Sequence, residues 1–268
     1  LRAREDLALI EGAVREAGAI TRSFFGGHYK QWDKSKGNPV TEADIAVDTF
    51  LRAAFSAARP DYGWLSEESE DDFRRLSTEY TFVVDPIDGT IAFIKGRPHF
   101  TISVALVRDG APVVGVVFNP ISGECFTAIK GQGAALNGAP VRASEADAVD
   151  HCRMLGDRVM LGDAAWNEPP LRPWPPMEIE TRGSIAYRLA LVGDGQFDAM
   201  MALSPKRDWD LAAGDLIVRE AGGLVTTHLG AEMRYNQRET IQPSVVAAGA
   251  ALHPLLIERL HTIKLPRG

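Results

Sequence analysis

Leu7, Ile10, Val14, Ala17 and Phe24 recur at the spacing of one helical face, and Gly26-Gly27 ends the pattern, so residues 3–25 are predicted to form an amphipathic helix. A second helix is expected after Thr41. There Asp44, three residues on, makes a capping box, and Val47, Leu51, Ala54 and Ala58 form an apolar stripe before Pro60. Between them Lys34-Ser35-Lys36-Gly37-Asn38-Pro39 reads as a mobile polar loop. From Tyr80 to Val141 the texture changes to short β-rich runs at 81–84, 101–107, 113–118 and Cys125–Ile129. Asp109-Gly110, Ser122-Gly123 and Asn137-Gly138 punctuate them, which favours hairpins and a largely antiparallel sheet.

The second half alternates differently. Strand-like 177–181, helix-like 185–192, strand-like 197–203 and a helix over 211–221 stopped by Gly222-Gly223 argue for a second, α/β layer. Pro169, Pro170, Pro173, Pro175 and Pro176 predict a stiff surface connection. The change of texture divides the chain into an N-terminal α+β part, residues 1–145, and a C-terminal α/β part, residues 146–268.

Composition narrows the function classes. With 268 residues, 45% hydrophobic and 24% charged, the chain can bury a sizeable core. No stretch approaches the roughly 20 apolar residues of a membrane span. The charged start Leu1-Arg2-Ala3-Arg4-Glu5-Asp6 is unlike a signal-peptide core, so a cytoplasmic protein is expected, a removed targeting segment staying open because the first residue is not Met. Cys125 and Cys152 are too few and too far apart for a disulfide framework or a zinc site, and read as core thiols. His28, His99, His151, His228, His253 and His261 lack metal-ligand spacing and read as structural or surface residues. A net charge of −7 disfavours a nucleic-acid backbone as main partner. An acidic enzyme acting on an anionic substrate needs cations, and metal ions are the economical source.

The segment Val83-Val84-Asp85-Pro86-Ile87-Asp88-Gly89-Thr90 is a β run that ends in two acids and a turn. Pro86 restricts the backbone between Asp85 and Asp88, and both carboxylates with the Ile87 carbonyl can converge on hard cations. Gly89 and Thr90 then offer backbone N–H groups suited to a phosphate. An Asp-x-x-Asp turn alone is commonly a solvated loop. Trp64-Leu65-Ser66-Glu67-Glu68-Ser69 adds paired acids, and Asp208-Trp209-Asp210-Leu211-Ala212-Ala213-Gly214 opens a helix with an acid in its first turn; separately they read as a charged loop and a helix cap.

Taken together and in this order, the three segments resemble the motifs of the inositol monophosphatase superfamily, lithium-sensitive and magnesium-dependent phosphatases, and the resemblance runs from about Leu7 to Gly223. It implies an α+β fold, a layered αβαβα sandwich with an antiparallel N-terminal sheet and a C-terminal α/β part. It also implies two or three Mg²⁺ ions held by Glu67, Asp85, the Ile87 carbonyl, Asp88 and Asp210, and water activated by Glu67 with Thr90 and its partner Asp44. By the same resemblance Gly89, Thr90, Asp210 and Lys36 face the substrate, and Gly183-Ser184-Ile185 meets its organic portion. Lys36 as a solvated loop lysine, Ser184 as a helix N-cap and Asp44 as a capping-box partner are the structural alternatives. Relatives commonly form homodimers.

A phosphate monoester carries roughly −1.5 to −2 charge near neutral pH, and the four acids would repel it without cations. No Cys, Ser or His constellation favours a covalent phosphoenzyme, so direct hydrolysis by water is expected. The substrate is then a small phosphorylated metabolite, with no nucleic acid and no membrane as partner. Inositol-selective relatives place a glutamate seven residues before the last aspartate, where this chain has Leu203. That departure, the W-D-x-A-A-G motif form, and Lys206 with Arg207 keep a bisphosphate nucleotidase acting on 3′-phosphoadenosine 5′-phosphate beside the inositol-type reading, with fructose 1,6-bisphosphate behind both. A non-catalytic interaction scaffold is the alternative from another class. A calcium-binding structural protein is disfavoured, because the acids are spread over about 140 residues.

Overall fold

The computed structural model of the chain describes residues 2–35 and 37–265. Helix α1 (Arg2–Phe24) leads to a hairpin of β1 (Gln31–Ser35) and β2 (Asn38–Thr41), then to α2 (Glu42–Ala58). Most of the stretch expected as a loop is therefore paired strand, with Gly37 at φ +79° in the turn. Lys36 lies outside the described residues. Helix α2 has the expected capping box, with Thr41 and Asp44 satisfying one another's backbone ends.

Next come β3 (Gly63–Ser66), β4 (Tyr80–Asp88), a short α3 (Thr90–Ile94), β5 (Thr101–Arg108), β6 (Ala111–Phe118), β7 (Cys125–Ile129), β8 (Gly133–Leu136) and β9 (Ala139–Pro140). These seven strands form one sheet in chain order, antiparallel except where β3 runs parallel to β4. Asp109-Gly110 and Asn137-Gly138 both adopt positive φ, the type I′ geometry whose twist suits a two-residue hairpin turn.

The remainder supplies β10 (Arg153–Leu155), α4 (Arg158–Leu161), β11 (Glu178–Glu180), α5 (Ile185–Gly193), β12 (Ala199–Ala202), β13 (Lys206–Arg207), α6 (Asp208–Glu220), β14 (Gly223–Thr226), β15 (Ile241–Gln242), β16 (Val245–Gly249) and α7 (Leu252–Leu260). A second, mixed sheet has the order β11-β10-β12-β16-β14.

Side-chain alternation along the strands stacks these elements. Phe82, Val84, Ile102 and Val104 pack against Val14, Val47, Leu51 and Phe55 of α1 and α2, while Val83, Ala105 and Val117 face α5 and α6 on the opposite side. Covered on both faces, these strands read as continuous apolar runs rather than alternating ones. The far side of α5 and α6 meets Met200, Val245 and Ala247, and α7 closes the outer face through Leu252, Leu256 and Leu260. Burial of each such large side chain contributes about 1.5–3 kcal/mol. The layers are therefore helix, sheet, helix, sheet, helix, as the resemblance implied. Ala213 and Gly214 serve this stacking: a Cβ at Gly214 would come within 2.5 Å of Leu189, and one at Gly115 within 2.8 Å of the Ala213 carbonyl. Cys125 and Cys152 are buried free thiols, raised by desolvation to about 12 and about 11.

Candidate active site

Residues three apart in a regular strand point to opposite faces. At the end of β4 the ladder is bulged: Asp85 pairs with Ser103 and Asp88 with Thr101, three steps against two. The extra residue brings both carboxylates to one side. The Ile87 N–H donates to Asp85 Oδ1 at 3.1 Å. Asp210, third residue of α6, joins them, and the three acids offer oxygens within 4.8 Å of one another. Its Oδ2 accepts from the Arg207 N–H at 2.8 Å, which sets its direction.

The Glu67 N–H donates to the Val84 carbonyl at 3.2 Å, continuing the β3–β4 pairing so that Glu67 stands beside Asp85. Asp48 of α2 grips the same turn by accepting from Ser66 Oγ at 2.5 Å and Ser69 Oγ at 2.6 Å. Thr90 Oγ1 lies 3.1 Å from both Asp44 Oδ1 and the Ile87 carbonyl. Asp44 Oδ2 accepts from the Thr41 N–H at 2.8 Å and the Thr41 hydroxyl. Gly89 sits at φ +97°, a conformation that disfavours any side chain, and a Cβ there would crowd the His99 carbonyl at 3.1 Å and the Ser184 nitrogen at 3.2 Å.

Glu67, Asp85, Asp88, Gly89, Thr90, Gly183 and Asp210 line one cleft of about 360 Å³. Ile87 is buried and presents its carbonyl to Thr90. Ser184, expected near the substrate, is fully buried behind the cleft. It caps α5 and donates its hydroxyl to Asp88 Oδ2 at 2.6 Å, beside the Ala186 N–H at 2.6 Å. Leu203 and Lys206 line an adjoining cavity, and Arg207 is exposed against Trp209.

Sequence reasoning gave no role to Lys95, Arg97, His99, Arg182 and Arg188, which also line the cleft. They belong to no local motif. Lys34 was missed as well: it bridges Glu67 at 2.8 Å and Glu68 at 2.7 Å, two residues from the lysine expected to reach the site.

Burial and the neighbouring carboxylates hold Asp85 well above the usual carboxylate range. Burial lifts Asp88 to about 6 against hydrogen bonds from Ser184 and the N–H groups of Ala186 and Ile185. Asp210 is pushed up to about 8 by burial and then by Asp88. Asp44 is raised by burial despite its bonds to Thr41 and Thr90. Glu68 rises to about 7 through burial, Lys34 notwithstanding. For Lys34 itself the loss of solvent is outweighed by Glu67 and Glu68, and its pKa is raised. The cluster thus crowds carboxylates that make one another's ionisation costly. Its donors are oxygen only, the set preferred by hard divalent cations.

The model of the inositol monophosphatase family matches residues 3–265 of the chain. An inositol-1-monophosphatase of Rhizobium meliloti is 37% identical over 240 residues, spanning 81% of this chain and 83% of that protein. A Nus factor SuhB of Pasteurella multocida is 35% identical over 228 residues, spanning 80% and 81%. Among solved structures, the extragenic suppressor protein suhB of Bartonella henselae superposes with a TM-score of 0.81 at 29% identity, covering 96% of this chain and 99% of that one. A Thermotoga maritima IMPase gives 0.79 at 29% identity, covering 96% of each chain. With the layered fold, the bulged acidic strand end and a match over nearly its whole length, the chain belongs to the inositol monophosphatase family, a family of phosphatases.

Proposed function

We propose that this chain hydrolyses a small phosphate monoester by direct attack of water, with inositol 1-phosphate the first candidate, and that Glu67, Asp85, the Ile87 carbonyl, Asp88 and Asp210 hold two or three Mg²⁺ ions. The observation that carries this reading is the cluster of Asp85, Asp88 and Asp210 oxygens within 4.8 Å of one another along a cleft, with no direct ion pair to any of the three carboxylates among the described residues. When bound, the ions supply neutralisation of the substrate's charge, a lowered pKa for water and stabilisation of the leaving oxygen. Asp44 accepts the Thr90 hydroxyl proton, which turns a lone pair of Thr90 Oγ1 toward the cleft, where it can take a hydrogen bond from the attacking water. Glu67 takes that water's proton. Lys95, Arg97, Arg182 and Arg188, which line the same cleft, orient the anionic ester, and the family resemblance assigns Lys36 to the substrate side. In this reading residues 1–145 supply Glu67, Asp85 and Asp88, and residues 146–268 complete the site with Asp210.

A second substrate, 3′-phosphoadenosine 5′-phosphate, is favoured by one observation: Arg188 and Lys206 line the neighbouring cavity, where a second phosphate would find cations. Phosphate release from both esters should require Mg²⁺ and stop on chelation. Asp88→Asn should lower turnover by about 10²–10³-fold, the effect of removing one electrostatic contact at a reacting centre, with thermal unfolding still cooperative. Undiminished activity in thoroughly chelated protein defeats the proposal. Three relatives named Nus factor SuhB raise a scaffold reading, under which Asp88→Asn would leave biological function intact.

A further inference from the structure

Asp208 and Asp210 open α6 two residues apart, about 200° around the helix, so with Asp210 turned to Asp85 and Asp88, Asp208 points away from the cleft. It is fully buried there. Its Oδ2 accepts from the Asn236 N–H at 2.8 Å, its Oδ1 accepts from Gln242 Nε2 at 3.1 Å, and its own N–H donates to the Thr240 carbonyl at 2.9 Å. The first turn of α6 is therefore seated on residues 236–242, which run into β15.

The same segment grips the first half of the chain. Asn236 Nδ2 donates to Thr81 Oγ1 at 3.0 Å, and Asn236 Oδ1 accepts from Arg75 Nη1 at 2.7 Å. Arg75 is buried, donates to the Gln237 carbonyl at 3.1 Å and pairs with Asp71 at 2.8 Å. Thr81 lies on β4 four residues before Asp85, about 13 Å along the strand. Asn236 sits at φ +55°, in the left-handed region that asparagine tolerates better than most residues. None of Arg75, Thr81, Asp208 and Asn236 lines the cleft.

We infer that Asn236 is a positioning residue for the cation site: by fastening β4 to the first turn of α6, it sets how far Asp210 stands from Asp85 and Asp88. The inference rests on the metal-assisted reading above. The middle of α6 is located by close packing, with Gly214 against Leu189 and Ala213 against Gly115. At the first turn the polar bonds to Asn236, Thr240 and Gln242 take that role, with the Ser103 hydroxyl on the Trp209 carbonyl at 3.2 Å. Cation coordination tolerates only about 0.2 Å of error in a ligand distance, so slack in this clasp reaches the site as weaker cation binding.

The test titrates the full chain with Mg²⁺ alone in a calorimeter, beside thermal unfolding in chelator. Asn236→Gly removes both side-chain bonds and leaves the left-handed backbone unstrained. Loss of a group that orients a metal ligand costs about 10–100-fold in affinity, and this clasp acts one step further out, so the Mg²⁺ Kd should rise by about fivefold or more. Asn236→Asp keeps an acceptor for Arg75 and can take the Thr81 hydroxyl proton, so its Kd should stay within about twofold of the parent's. Tyr235→Phe is the structural comparison. It deletes the bond from the adjacent residue to Asp215 Oδ2 at 2.7 Å, in the packed middle of α6, and should lower the unfolding temperature with an unchanged Kd. Thr81→Val removes one end of the clasp at nearly constant shape and should weaken Mg²⁺ binding in the same direction, which keeps the test open if Asn236→Gly does not fold. A parental Kd in the folded clasp variants, or an equal rise in Tyr235→Phe, overturns the positioning role while Mg²⁺ binding by the parent upholds the metal-assisted reading. If the parent itself binds no Mg²⁺, that reading fails and the inference falls with it.

Discussion

Thr90 has one hydroxyl proton and two acceptors at 3.1 Å, Asp44 Oδ1 and the Ile87 carbonyl. Asp44 is the stronger acceptor when ionised, and its other oxygen is already occupied by Thr41. Asp44→Asn would have to keep its carbonyl oxygen on the Thr41 N–H, which leaves an amide N–H facing Thr90. The Thr90 hydroxyl would then accept from Asn and give its proton to the Ile87 carbonyl instead, losing the carboxylate that polarises it. We therefore expect Asp44→Asn and Thr90→Ala each to lower kcat by about 10²-fold or more, the scale of positioned proton transfer, with Thr90→Ser recovering most of the loss. KM for the ester should move far less than kcat. Equal kcat values for Thr90→Ala and the parent at saturating Mg²⁺ would remove Thr90 from the chemistry.

At the scale of elements, α2 braces two separate pieces of the site. Asp44 and Asp48 are one helical turn apart and share a face. One holds Thr90, and the other holds the turn carrying Glu67 through Ser66 and Ser69. The apolar stripe of α2, with Val47, Leu51 and Phe55 in the core, fixes how far these two carboxylates reach. Asp48→Ala leaves both serine hydroxyls without their acceptor. It should cost about 1–3 kcal/mol of stability, the penalty for unmade buried hydrogen bonds, and raise the Mg²⁺ concentration needed for half-maximal activity, because Glu67 loses its brace. Thermal unfolding and a Mg²⁺ titration of activity check both parts. A loss of stability with an unchanged Mg²⁺ midpoint would make Asp48 purely structural.

For the whole molecule, the acidic cluster links stability to pH and to cations. Asp88 at about 6 and Asp210 at about 8 stand above the ordinary carboxylate value near 3.9 of an unfolded chain. The folded state therefore binds more protons. The stability these groups contribute is fully present below about pH 4 and is lost as pH rises through 6 and then 8. In chelator, the unfolding temperature should fall between pH 5.5 and pH 8.5 by this contribution. Excess Mg²⁺ should restore it mainly at the alkaline end, by about 2.7 kcal/mol at a hundred times its Kd. An unfolding temperature insensitive to Mg²⁺ at pH 8.5 would mean that the cluster does not bind the ion.

What the amino-acid sequence determined by itself was whatever is local. Helix spacing, the Thr41–Asp44 capping box and the Asp-Gly and Asn-Gly turns depend on neighbours a few residues apart, so α1, α2, the β5–β7 hairpins and the Asn137-Gly138 turn were legible, whereas β8 and β9 were not legible as strands. The three acidic segments stood out only together, through the resemblance of their order to a family's motifs, since each alone reads as a solvated loop or a helix cap. Tertiary structure alone decided the rest. Short strands buried on both faces lose their alternation, so the limits of β4 and β12 were drawn too loosely or too tightly. The bulge that turns Asp88 beside Asp85 is a property of the pairing with β5, invisible in β4 alone. Ser184 became a support for Asp88 rather than a cleft residue because α5 begins directly behind that carboxylate. The cations Lys95, Arg97, Arg182 and Arg188 that line the cleft come together from segments far apart in the chain. Electrostatics and packing act through space, and only the fold sets those distances.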